Sequence, residues 1–199
     1  MSRSRLVGFD LDMTLIDSRP GIRATYAELC ARTGAMIDLD VVTSRLGPPL
    51  EVELSHWLSA DEVPAAADLY RALYPDIAIA RIEVMPGAHE TLAFLRSSGE
   101  RSLLLTAKNE RNARHHVEHL GLAVDDVVGD AWREGKAEVL LERGAYVYVG
   151  DHVHDMEAGR IAGVLSIGVT TGPCSAQELR SAGADHVVDS LLEIPALLA

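Results

Sequence analysis

Asp10 and Asp12 follow an apolar run and precede Thr14 in "VGFDLDMTLID". Carboxylates two residues apart repel one another, and folding alone gives no reason to place them there. Such a pair suits a reaction in which one carboxylate attacks and the other exchanges a proton. Groups of matching kind stand elsewhere in the chain. Thr106 ends "RSLLLT", Lys136 opens the helical pattern after "VVGD", and Asp151 ends "AYVYVGD", with Asp155 four residues further on. An aspartate attacking a phosphoryl group forms an aspartyl-phosphate, and that meeting of two anions calls for Mg²⁺ held by hard oxygen ligands. On this reading Asp10 is the nucleophile, while Asp12 protonates the leaving oxygen and later draws a proton from water. Asp10, the backbone carbonyl of Asp12 and Asp151 are the metal ligands, with Asp155 supporting them from behind. Lys136 and the Thr106 hydroxyl hold the other phosphoryl oxygens, where transition-state charge sits.

These residues act together only if the fold brings distant strand ends to one place. From Pro86 onward, short apolar runs alternate with amphipathic helical patterns that stop at glycine, as in "NERNARHHVEHLG" followed by "DDVVGD". That rhythm predicts an α/β fold with a parallel sheet covered on both faces, "RLVGFD" being the first strand. In such a sheet, ligands bind beyond the carboxyl ends of the strands, where Asp10, Thr106 and Asp151 all fall. Between Ile16 and about Val84 the rhythm changes: "PGIRATYAELCARTGA", "LDVVTSRLG", "PLEVELSHWL" and "ADEVPAAADLYRALY" read as helices, and no stretch reads as a strand. The expected division is an α/β core of residues 1–16 and 85–199 with a helical insertion of residues 17–84.

The motifs resemble those of the haloacid dehalogenase superfamily, in particular its phosphatases. "FDLDMTLID" matches the DxDxT motif, "LLLTAKN" resembles the second motif at Thr106, Lys136 corresponds to the third-motif lysine, and "VGDHVHDMEAGRIAG" resembles the acidic fourth motif at Asp151 and Asp155. The resemblance implies a Rossmann-like core, with residues 17–84 as the mobile helical cap of the phosphoglycolate-phosphatase-like branch. It also implies Mg²⁺ and a small phosphorylated metabolite: phosphoglycolate, a sugar phosphate or a nucleotide. The chain departs from the pattern at Met13, where glycine is usual, and at Ala107, where asparagine or glycine is common. The backbone N–H of Ala107 can still donate to a phosphoryl oxygen. Lys136 lacks the frequent following proline and the segment after it is short, which leaves Lys108 as an alternative cation. Met13 is expected to crowd the entrance or point into the cap. Arg45, in the "RLGPPLEV" loop of the insertion, is expected near the distal end of the substrate.

Composition narrows the classes. A chain of 199 residues, 48% hydrophobic and with formal net charge −12, buries a proper core and lacks the cationic surface that holds nucleic acid. Cys30 and Cys174 form no metal-type spacing and read as small buried hydrophobes in a reducing compartment. With no membrane-spanning run and no leader pattern, the expected address is the cytoplasm. His115, His116 and His119 read as ordinary surface histidines rather than a zinc site, and His152 as a loop residue near the substrate. The competing readings are a phosphosugar mutase on the same scaffold, a phospho-accepting receiver-like signalling module and a catalytically silent binder.

Overall fold

The computed structural model describes residues 5–199, so residues 1–4 of the expected core lie outside the described residues. In chain order, the first half comprises β1 (Leu6–Phe9), β2 (Ile16–Asp17), α1 (Arg19–Thr33), α2 (Leu39–Ser44), α3 (Leu50–Leu54), α4 (Val63–Ala78), β3 (Glu83–Val84), α5 (Ala88–Ser97) and β4 (Arg101–Leu105). The second half comprises α6 (Glu110–Leu120), β5 (Asp126–Val128), α7 (Glu134–Arg143), β6 (Ala145–Gly150), α8 (Val153–Ala162), β7 (Leu165–Val169), α9 (Ala176–Ala182), β8 (His186–Val188) and α10 (Ile194–Leu198).

Leu6, Val7 and Phe9 are all buried, as expected of a strand covered on both faces. β1 pairs in parallel with β4 on one side and β6 on the other, in a six-stranded sheet of order β5-β4-β1-β6-β7-β8. The chain builds one half of the sheet and then the other, which leaves a crevice beyond the carboxyl ends of β1 and β6. Left-handed glycines end the helices here: Gly121 (φ 62) after α6 and Gly163 (φ 67) after α8 turn the chain back into the sheet at no steric cost. The α/β reading holds throughout this part of the chain.

The segment after β1 is helical as expected, with two corrections. Ile16 pairs with Val84 and Asp17 with Glu83 in a short antiparallel ladder, so the helical segment leaves and re-enters the core through two adjacent strands. Two residues per strand are too few to show a period of two. The α4 reading stopped at Tyr74, before Pro75, yet the helix runs on to Ala78. Tyr26 of α1 packs on Tyr70 of α4 with ring centroids 4.7 Å apart, and Tyr70 packs on Tyr74. Burying each such side chain is worth roughly 1.5–3 kcal/mol.

Three further expectations change. Met13 is 2% exposed and packed in the hydrophobic core, so it does not line the entrance. Cys30 and Cys174 are unpaired but half-buried rather than buried. His116 is fully buried, its Nε2 3.0 Å from the Tyr74 hydroxyl, and is no surface histidine. Burial, followed by the nearby Lys108 ammonium, pushes His116 down to about 3. A histidine held neutral in the native state binds its proton more readily when unfolded, so its contribution is complete above about pH 6.5 and is lost as pH falls towards 3. Wild type is expected to lose about 3 kcal/mol more between pH 7 and pH 4 than His116→Gln. Urea unfolding at the two pH values checks this; equal losses would contradict it. Among the described residues, no helix is long and apolar enough to cross a membrane.

Candidate active site

The site begins where β1 stops. Asp10 N–H donates to the Val149 carbonyl (2.9 Å), which extends the parallel ladder one residue past the strand and fixes Asp10 beside the end of β6. The chain then wraps tightly around the Leu11 carbonyl, which accepts from the N–H groups of Thr14, Leu15 and Ile16. The wrap puts Met13 at φ 61, in the left-handed region where a side chain is costly. That backbone explains why glycine is usual at this position. The Thr171 hydroxyl donates to the Met13 carbonyl and ties the wrap to the loop after β7.

The same wrap turns the Thr14 hydroxyl onto Asp151 Oδ1 (2.8 Å) at the end of β6. Gly172 closes the other side of that carboxylate: a Cβ there would lie 1.8 Å from Asp151 Oδ2, so only glycine lets the loop approach. Asp155 has two tasks. Its Oδ2 accepts from the His152 N–H (3.1 Å) in a capping box that starts α8, and its Oδ1 accepts from Lys136 Nζ (2.6 Å). Lys136, two residues into α7, also donates to Asp10 Oδ1 (2.9 Å). Asp10, Asp151 and Asp155 are all buried, with one carboxylate oxygen of each within 4.8 Å of the others.

The electrostatics follow from this crowding. Burial pushes Asp10 up to about 6, against the pull of Lys136. Burial and the neighbouring Asp10 and Asp155 push Asp151 well above the usual carboxylate range. Burial alone would lower Lys136, but Asp10 and Asp155 hold it well above the ordinary lysine range. Fully ionised, the three carboxylates would outnumber the one ammonium of Lys136 by two charges, and a divalent cation with a preference for oxygen would balance them. The donor set therefore fits Mg²⁺.

In front of this cluster lies a cavity of about 100 Å³. Asp10, Asp12, Arg45, Thr106, Ala107 and Lys108 all line it. Lys136, Asp151 and Asp155 are not among the lining residues; Lys136, expected to hold phosphoryl oxygens, is engaged by Asp10 and Asp155 behind the wall. Thr106 is 1% exposed and its hydroxyl accepts from the Lys108 N–H (3.2 Å). The structure thus brings the sequence-predicted residues together, some on the cavity wall and some behind Asp10.

Two features were missed or understated. Lys108 Nζ makes an ion pair with Asp12 Oδ1 (3.1 Å) and donates to the Tyr74 hydroxyl (3.0 Å), so α4 is connected to the second carboxylate through a lysine. Its place two residues after Thr106 was the available signal. Arg45 lines the cavity but is not free, because its Nη2 is ion-paired with Glu53 Oε1. His152 lies beside the cluster, and its ring packs on Gly47 of the "RLGPPLEV" loop, where a Cβ would come within 2.8 Å of it.

Residues 7–169 match the family model described as haloacid dehalogenase-like hydrolase. Tyrosine-protein kinase PtkA of Mycobacterium tuberculosis is 30% identical over 182 residues, covering 84% of this chain and 62% of that protein; the chain thus spans under two thirds of the length of these curated relatives. Phosphoglycolate phosphatase of Vibrio parahaemolyticus is 27% identical, with 98% of this chain and 96% of the relative covered. A haloacid dehalogenase-like family hydrolase from Streptococcus pneumoniae superposes with a TM-score of 0.86 over the whole of both chains at 24% identity, which shows the shared fold.

Proposed function

Because the chain belongs to the haloacid dehalogenase-like hydrolase family, we propose that it is a Mg²⁺-dependent phosphomonoesterase that works through an aspartyl-phosphate on Asp10. The observation that carries this reading is the buried cluster of Asp10, Asp151 and Asp155, compensated by Lys136, from which Asp10 reaches a small cavity. Asp10 attacks phosphorus, and the bond to the leaving oxygen breaks as Asp12 donates a proton to it. Asp12 then takes a proton from the water that attacks the phosphoenzyme, which releases phosphate and regenerates Asp10. The Thr106 hydroxyl and the Ala107 N–H bind phosphoryl oxygens at the cavity wall, while Lys136 orients the nucleophile from behind. Asp10, the Asp12 carbonyl and Asp151 would hold Mg²⁺, with Asp155 supporting them; when bound, the metal neutralises charge as the two anions approach. Residues 17–84 serve as the cap over a core of residues 1–16 and 85–199, and they close the cavity against bulk water. The substrate is a small phosphorylated metabolite of the phosphoglycolate, sugar phosphate or nucleotide type.

Hydrolysis of p-nitrophenyl phosphate tests the reading. Free phosphate is expected in the presence of Mg²⁺, with release falling to background in EDTA and returning when Mg²⁺ is restored. Turnover indifferent to chelation would contradict the metal requirement. A phosphoryl group passed to a second hydroxyl instead of water would favour a mutase.

A further inference from the structure

The cations that line the cavity already have partners, and that bears on what the cavity accepts. Arg45, Arg71 and Lys108 are the lysine and arginine residues among the described residues that line it. Arg45 pairs with Glu53, Arg71 Nη2 with Glu51 Oε1 (2.7 Å), and Lys108 with Asp12. The Arg45 pair is firmly built. Glu53 is 8% exposed, its Oε1 also accepts from Trp57 Nε1 (2.8 Å), and the Arg45 guanidinium lies over the Trp57 ring at 5.6 Å. Swinging Arg45 towards a ligand would leave a buried carboxylate without its counter-charge.

We infer that the substrate is a small monophosphate whose leaving group is uncharged and hydroxylated, a polyol or sugar phosphate, and that Glu53 sets this preference by occupying Arg45. The inference rests on the phosphomonoesterase reading and narrows its substrate class. A second carboxylate on the substrate would enter a cavity also lined by Glu53, with both lining arginines already paired and Lys108 held between Asp12 and the Tyr74 hydroxyl. A neutral hydroxylated group meets apolar and aromatic walls at Ile22, Val42 and Tyr70 and the amides of Asn109 and Asn112. The volume of about 100 Å³ lies below the roughly 300–1,000 Å³ of pockets that bury larger ligands, which favours a leaving group of a few carbons. The preference separates this chain from relatives named for phosphoglycolate, whose leaving group carries a carboxylate.

Matched substrates isolate the charge: 2-hydroxyethyl phosphate against 2-phosphoglycolate, and glycerol 3-phosphate against 3-phosphoglycerate. Wild type is expected to favour the neutral member of each pair by at least about tenfold in kcat/KM, mainly through KM. Glu53→Gln keeps an acceptor for Trp57 but leaves Arg45 unneutralised, and is expected to shrink the gap by lowering KM for the anionic member. Equal or better use of the anionic member by wild type overturns the inference. So does a gap unmoved in a Glu53→Gln protein that melts with wild type. If that variant does not fold, the wild-type comparison decides alone. Failure to hydrolyse any pair member or p-nitrophenyl phosphate would remove the phosphomonoesterase reading itself, and this inference with it.

Discussion

Asp10→Asn is expected to abolish turnover of a phosphate monoester while leaving the metal-free fold at least as stable as wild type. An amide oxygen does not attack phosphorus at a useful rate, so a loss beyond about 10³-fold in kcat is expected, the scale seen when a nucleophile is deleted. The stability half of the prediction comes from the crowding. Burial pushes Asp10 up to about 6, above its unfolded value, so the native state disfavours the ionised form. That carboxylate therefore costs stability as pH rises through the interval from about 4 to 6, and the cost persists at neutral pH. Asparagine carries no such cost, and its amide oxygen can still accept from Lys136. Steady-state kinetics with Mg²⁺ and melting in EDTA read the two halves separately. Near-normal kcat would remove Asp10 from the nucleophile role, and a collapsed melting temperature would show that its charge supports the fold.

Lys136→Met is expected to do the opposite to the fold. Lys136 is the ammonium that touches two of the three clustered carboxylates, at 2.9 Å from Asp10 and 2.6 Å from Asp155, and it is 4% exposed. Methionine fills similar space but leaves those carboxylates without their counter-charge, and breaking a buried pair from one side typically costs about 3–5 kcal/mol. Activity should fall by about 10²–10³-fold, because Asp10 loses the contact that aims it. Mg²⁺ supplies part of the missing positive charge, so it should raise the variant's melting temperature more than that of wild type. A variant that melts with wild type in EDTA would show that the cluster does not need this lysine.

Much of the core was legible because each part has a strong local cause. The strand before Asp10 is continuously apolar, since both faces of a parallel strand are covered, and the helices stop at glycines that take left-handed conformations. Asp10, Thr106 and Asp151 could be grouped without coordinates because strand ends in a parallel sheet share one side. What escaped depends on tertiary contacts that leave no periodic trace. The Ile16–Val84 ladder is too short to pattern. His116 looks like its neighbours on α6 until Tyr74 from α4 covers it, and Glu53 gives no sign in sequence that it will reach Arg45. Met13 was visible as an oddity, but its cause, a left-handed backbone in the wrap around Leu11, was not.

Chemical trapping of the phosphoenzyme tests the nucleophile most directly. Wild-type protein is quenched during turnover of p-nitrophenyl phosphate with Mg²⁺ and treated with borohydride, which reduces an acyl phosphate to the alcohol. Peptide mass spectrometry should then find homoserine at position 10 in the sample given substrate and aspartate in the sample without it. Active enzyme that retains aspartate at position 10, with the reduced residue at another position, would contradict the account.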